Sequence, residues 1–198
     1  MYNKQDRILR AAEKIIANGG IQGLSMQHVA NEAGVAAGTI YRYFKDKNEL
    51  ILTLRRDVLA QVAEAILEDH DQGNLEQRFK RIWMKMYHYG KQRTPANLSY
   101  EQYAHLPESN TDEIRQIELQ LFAPLLHLFE EGLKQGSIQP LHPRALYALS
   151  MEPAMTLARA IRRGLIEYQT EEIDLACELC WQSIQVKTEQ HAKGAVRT

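Results

Sequence analysis

The apolar residues of this chain recur with a helical period along nearly its whole length, and no stretch shows the strict alternation of a strand. That property restricts the fold to helix packed on helix. Caps and breakers divide the pattern. Ile8, Ala11, Ala12, Ile15 and Ile16 form a stripe that stops at Gly19-Gly20. Ser25 caps a short segment carrying Val29, Ala30 and Ala33, which ends at Gly34, and a second short segment holds Ile40, Tyr41 and Phe44. Asp46 with Glu49 is a capping-box pattern and opens a long helix through Leu50, Leu54, Val58, Val62 and Ile66. Asn74 with Gln77 opens the next, which runs through Phe79, Trp83, Met86 and Tyr87 towards Pro95. A short piece over 100–106 closes at Pro107, Asn110 with Glu113 caps another helix, and Pro124 kinks that helix or begins a new one. Pro143 suits the first turn of a helix reaching about Tyr168, kinked at Pro153, and Thr170 starts a final helix through Ile184. The expectation is an all-α fold of about nine helices.

A chain of 198 residues, 44% hydrophobic and 25% charged, has globular composition and enough length for a sizeable core. No run approaches the ~18 apolar residues of a membrane span, and the polar opening is unlike a signal peptide. A cytoplasmic protein with no membrane partner is expected. Charge is uneven. Residues 1–56 hold nine Lys or Arg against five acids, or +4, which leaves −5 for the remainder of a chain whose total is −1. A basic head on an acidic body suits a phosphate-binding module joined to one that does not bind nucleic acid. A chance fluctuation gives the same count, so charge alone does not decide.

Residues 25–44 have the mechanics of a helix-turn-helix. Ala30 is small where the first helix crosses the second, Gly34 stands at a turn that needs a positive φ, and Val35 and Ile40 plug the junction. The second helix turns Ala36, Ala37, Gly38, Thr39, Arg42 and Tyr43 outward, with few bulky groups at its start, as a helix lying in a major groove requires.

The run from Gly34 to Leu50, Gly-Val-Ala-Ala-Gly-Thr-Ile-Tyr-Arg-Tyr-Phe-Lys-Asp-Lys-Asn-Glu-Leu, closely resembles the DNA-binding domain of the tetracycline-repressor (TetR) family. The Ile8–Gly19 helix and Gly23-Leu24-Ser25 fit the same pattern, so the specific likeness covers roughly residues 5–55. The resemblance implies a DNA-binding domain over 1–46, an effector-binding and dimerisation domain over 47–190 and a polar tail over 191–198. It implies phosphate or base contacts from Ser25, Gln27, Ala36, Ala37, Gly38 and Thr39, backbone contacts from the Tyr41 and Tyr43 hydroxyls, and a phosphate-binding Lys47 at a helix N-terminus. Arg42 reaches a base edge or faces phosphate; both remain open. The implied partner is double-stranded DNA with a palindromic operator, bound by a homodimer whose two-fold axis matches it.

The rest of the chain carries no discriminating motif. Trp83, Met86, Tyr87, Tyr103, Phe122, Leu126, Met151 and Met155 are, singly, ordinary core residues, and as a set they suit an adaptable apolar cavity for a small effector of unknown identity. Arg159, a cation on a mostly apolar helix, answers an anionic effector or pairs with Glu152 or Glu130. Stripes of Leu157, Ile161 and Leu165, and of Ile173, Cys177, Trp181 and Ile184, suit an interface between subunits, or packing within one.

Cys177 and Cys180 share a helix face, yet no further Cys or His nearby completes a four-ligand metal site. Small buried thiols are the plain reading and a thiol-based redox sensor on the same frame the sharper one. No Ser-His-Asp or Cys-His grouping, Gly-rich phosphate loop or His-Glu-x-x-His motif supports an α-helical enzyme. The expectation is therefore a regulator, a repressor on the resemblance, with no catalytic residue, metal or cofactor.

Overall fold

The computed structural model describes residues 3–92 and 112–186. These form ten α-helices: α1 (Lys4–Gly19), α2 (Met26–Glu32), α3 (Ala37–Ile40), α4 (Lys47–Leu67), α5 (Leu75–Lys91), α6 (Asp112–Leu121), α7 (Ala123–Lys134), α8 (Pro143–Ser150), α9 (Glu152–Arg162) and α10 (Thr170–Ile184). A 3-10 turn over Ile21–Gly23 follows α1, and the one β-like pairing among the described residues is an isolated bridge between Ile138 and Gln185. The expected short helix over 100–106, with Tyr103, lies outside the described residues.

Helices begin where a side chain can take an N–H that the first turn leaves without a partner. Asn3 and Asp6 cap α1 reciprocally, as Asn74 and Gln77 do for α5. The Ser25 hydroxyl oxygen accepts from the His28 N–H at 3.1 Å, and Asp46 accepts from the Glu49 N–H at 2.9 Å. Pro124 takes the second of its two expected roles and lies in the first turn of a new helix, α7. The single helix expected from Pro143 to about Tyr168 is instead two. It breaks at Met151, which puts Pro153 in the first turn of α9, and it ends at Arg162 because Gly164 turns left-handed at φ 69°.

Two apolar cores result. The head core joins Ile8 and Ile16 of α1, Val29 and Ala30 of α2, Ile40 and Phe44 to Leu50, Leu54 and Leu59 of α4, and is closed by Ile114 of α6. The body core surrounds Phe79 and Trp83 of α5 with Leu128, Phe129, Leu146, Met151 and Trp181. Helix α4 belongs to both: its residues as far as Leu59 pack with the head and those from Ala63 with the body. A boundary between 46 and 47 thus falls at the cap of α4, ahead of turns that complete the head. In the body, α5 is central. Trp181 of α10 packs on Phe79 with ring centroids 5.0 Å apart, and α9 crosses α5 so closely that a Cβ on Gly90 would lie 2.9 Å from the Ala158 Cβ.

Candidate DNA interface and effector cavity

At the head, Gly34 adopts φ 63°, which lets the Val35 N–H reach the Ala30 carbonyl at 2.9 Å and reverse the chain between α2 and α3. Arg7 of α1 clamps the same turn by donating to the Ala33 carbonyl at 2.7 Å. Ile40 and Phe44 are buried and anchor α3, so the residues between and beside them turn outward. The ten positions expected to meet DNA lie on α2 and its cap, on α3 and its flanks, and in the first turn of α4, and none of them is buried.

Their chemistry suits a phosphate-rich partner. Tyr41 is 58% and Tyr43 39% exposed, so neither ring is held in the head core. A Cβ on Gly38 would meet nothing within 4 Å, so the fold itself does not need a glycine there. Ser25 uses its oxygen as a cap and keeps its O–H free to donate, while Gln27 is steadied by donating to Asn31 Oδ1 at 3.1 Å. Lys47 stands in the first turn of α4, where unpaired N–H groups and the helix dipole add to its charge.

In the body, helices α4 to α9 enclose a cavity of about 490 Å³, within the usual range of ligand sites. Val58, Leu59 and Ile66 of α4, with Met86, Leu125 and Phe129, form its buried wall, and the exposed Arg115, Glu130, His142 and Arg144 stand at its rim. Tyr89 brings a hydroxyl to the half-buried part of the wall; burial, and next the charge of Glu13, push its pKa up. Of the residues expected around an effector, Met86, Phe122, Leu126 and Met155 line this cavity. Trp83, Tyr87 and Met151 are buried off its wall, with Trp83 stacked on Tyr87 at 6.2 Å, and Arg159 is half-buried elsewhere on α9. Sequence reasoning missed the contribution of α4, although Val58, Val62 and Ile66 are spaced to share one helix face. It also missed Tyr89 and the rim charges.

The stripe Ile173, Cys177, Trp181 and Ile184 is 0–3% exposed and covered within the chain, so it offers nothing to a second subunit. Leu157 and Ile161 are half-buried, while Leu165, beyond the end of α9, is 70% exposed. The outward apolar residues of α10 are Leu175 and Leu179, 57% and 55% exposed. Burial, with a smaller push from Cys180, raises the Cys177 thiol to about 12, and burial raises Cys180 as well. Both shifts disfavour the thiolate that oxidant sensing uses. Among the described residues no group of three or more His, Cys, Asp or Glu is placed to hold a metal, and no helix is long and apolar enough to cross a membrane.

Residues 8–54 match the family model described as bacterial regulatory proteins, tetR family, and residues 74–185 match that of a tetracyclin repressor-like C-terminal domain. A TetR family protein from Vibrio parahaemolyticus is 34% identical and superposes with a TM-score of 0.83 over 93% of this chain and 100% of its own. An uncharacterized HTH-type transcriptional regulator of Haemophilus influenzae is 26% identical over 183 residues, 91% of this chain and 95% of that protein. The fatty acid metabolism regulator protein of Bacillus subtilis is 28% identical over 141 residues, 69% of this chain and 71% of that protein. A structure of the Bacillus subtilis transcriptional regulator FadR in complex with stearoyl-CoA shares the fold, with a TM-score of 0.65 at 22% identity over 90% of this chain and 98% of that one.

Proposed function

This chain belongs to the tetracycline-repressor family of DNA-binding transcriptional regulators, and from that premise we propose that it is a homodimeric cytoplasmic repressor released from a palindromic operator by a ligand with a hydrocarbon body. The observation that carries the reading is the part α4 plays: one helix holds Lys47 in its first turn and Val58, Leu59, Val62 and Ile66 on the cavity wall. An occupant that repositions α4 changes the spacing of the two recognition helices in a dimer, and a palindrome tolerates little change in that spacing. The division of labour is a DNA-binding head over 1–46 whose core the first turns of α4 complete, a ligand-binding and dimerising body over 47–190 and a tail over 191–198.

The wall supports the ligand class. Its buried side chains are aliphatic, aromatic or thioether, with the Tyr89 hydroxyl beside them. A polar group left there without a partner costs roughly 1–3 kcal/mol, so the enclosed part of the ligand is hydrocarbon and its polar end lies at the rim near Arg115 and Arg144. A long acyl chain meets that description, and the stearoyl-CoA held by the Bacillus subtilis protein supports it. Leu165, Leu175 and Leu179 supply the outward apolar surface for the dimer. The raised thiols argue against redox sensing, and the transcriptional regulators among the relatives argue against an enzyme.

The test is release of a palindromic duplex selected from random sequence, titrated with fatty acids and acyl-CoA thioesters of increasing chain length. Release by long-chain members, with none by acetyl-CoA, is expected. If no chain length changes operator affinity, the ligand assignment is wrong.

A further inference from the structure

Helix α1 is stitched to the helix-turn-helix at two points: Arg7 donates to the Ala33 carbonyl, and Lys14 pairs with Glu32. The same helix is tied to α4 by Arg10. Its Nη1 is 2.7 Å from Glu13 Oε2, and its Nη2 is 2.9 Å from Asp57 Oδ2. Glu13 is 1% exposed, a carboxylate out of water that needs a cation beside it. Asp57 also accepts from Gln61 Nε2 at 2.8 Å. The next residues along α4, Val58 and Leu59, are cavity wall, as is Val62. A helix is stiff over one turn, so a shift that reseats Val58 and Val62 carries Asp57 with it. Glu13 is felt at the cavity too, since its charge reaches the hydroxyl of Tyr89 on the wall.

We propose that the Arg10 bridge between Glu13 and Asp57 is the joint through which occupancy of the cavity reaches the DNA-binding head. This rests on the effector reading above and names the residues that carry it. An occupant pressing on Val58 and Val62 displaces Asp57. Arg10 grips Asp57 and Glu13 together, so α1, and the helix-turn-helix stitched to it, follow α4. Apolar packing of Leu50, Leu54 and Leu59 keeps α4 on the head throughout, and the bridge is what makes α1 turn with Asp57. Arg10 and Asp57 are positioning residues that touch neither ligand nor DNA in this scheme.

The test reads a coupling: the ratio of operator dissociation constants with and without saturating 1-anilinonaphthalene-8-sulfonate, a dye with apolar rings and one anionic end. Leu126→Trp, which fills the cavity, marks the dye signal that comes from it. Wild type is expected to show a ratio on the order of 10. Asp57→Ala cuts the link and leaves Arg10 with Glu13. Its operator and dye affinities should each stay within about 3-fold of wild type, while the ratio falls at least about 3-fold. Asp57→Asn keeps the shape, serves if the alanine variant does not fold, and should lower the ratio at least about 3-fold. Gln61→Met, which removes only the other partner of Asp57, should keep the wild-type ratio. A full ratio in both Asp57 variants overturns the joint and leaves the effector reading standing. A ratio of one in wild type with the dye and with stearoyl-CoA alike overturns the effector reading and the joint with it.

Discussion

Gly38 separates what the head needs for folding from what it needs for binding. It lies inside α3 with open space where a Cβ would go, so alanine there meets no clash and removes the entropic cost of a helical glycine. Gly38→Ala should raise stability by about 0.5–1 kcal/mol and weaken operator binding at least ~10-fold, because the added methyl stands between helix and groove. Thermal melting and fluorescence anisotropy with a labelled operator read the two effects. Unchanged affinity would remove Gly38 from the interface. Residues such as these were legible because their roles are local: Ser25 caps three residues on, and Gly34 turns the chain where it stands. Arg7 and Arg10 were not legible as clamps. Their partners Ala33 and Asp57 lie 26 and 47 residues away, and nothing in a periodic pattern says which charges meet across helices.

At the scale of helices, period and caps located most elements, while the partners of each face stayed hidden. The stripe Ile173–Ile184 reads equally as an interface or as core, and only the packing of Trp181 on Phe79 assigns it inward and leaves Leu175 and Leu179 outside. The α8–α9 break was likewise hidden, because Pro153 is compatible with a kink inside one helix or the first turn of another. The crossing of α5 and α9 depends on Gly90, where a Cβ would lie 2.9 Å from Ala158 and 3.2 Å from the Met155 sulfur. Gly90→Ala should therefore cost about 1–3 kcal/mol by overpacking. Because Met155 lines the cavity, its displacement should also weaken dye binding. Urea denaturation with a dye titration checks both; a variant as stable as wild type would mean that the crossing has slack the geometry does not show.

At the scale of the whole molecule, the charge asymmetry legible in the sequence acquires a location. The +4 of residues 1–56 belongs largely to the head, and the apolar cavity lies in the body, joined to it by α4. Fold class and family were open to reading because family motif and helical period are properties of short windows. The cavity was not, because its wall is assembled from six helices. The Tyr41–Lys47 surface is proposed to hold the DNA backbone. Operator affinity over a salt series for wild type and Tyr41→Phe/Lys47→Ala checks that role. The double variant should bind more weakly, with a slope of log affinity against log salt shallower by about 1, the share of one lost phosphate-bound cation. Equal affinity and equal slope in the two proteins would contradict it.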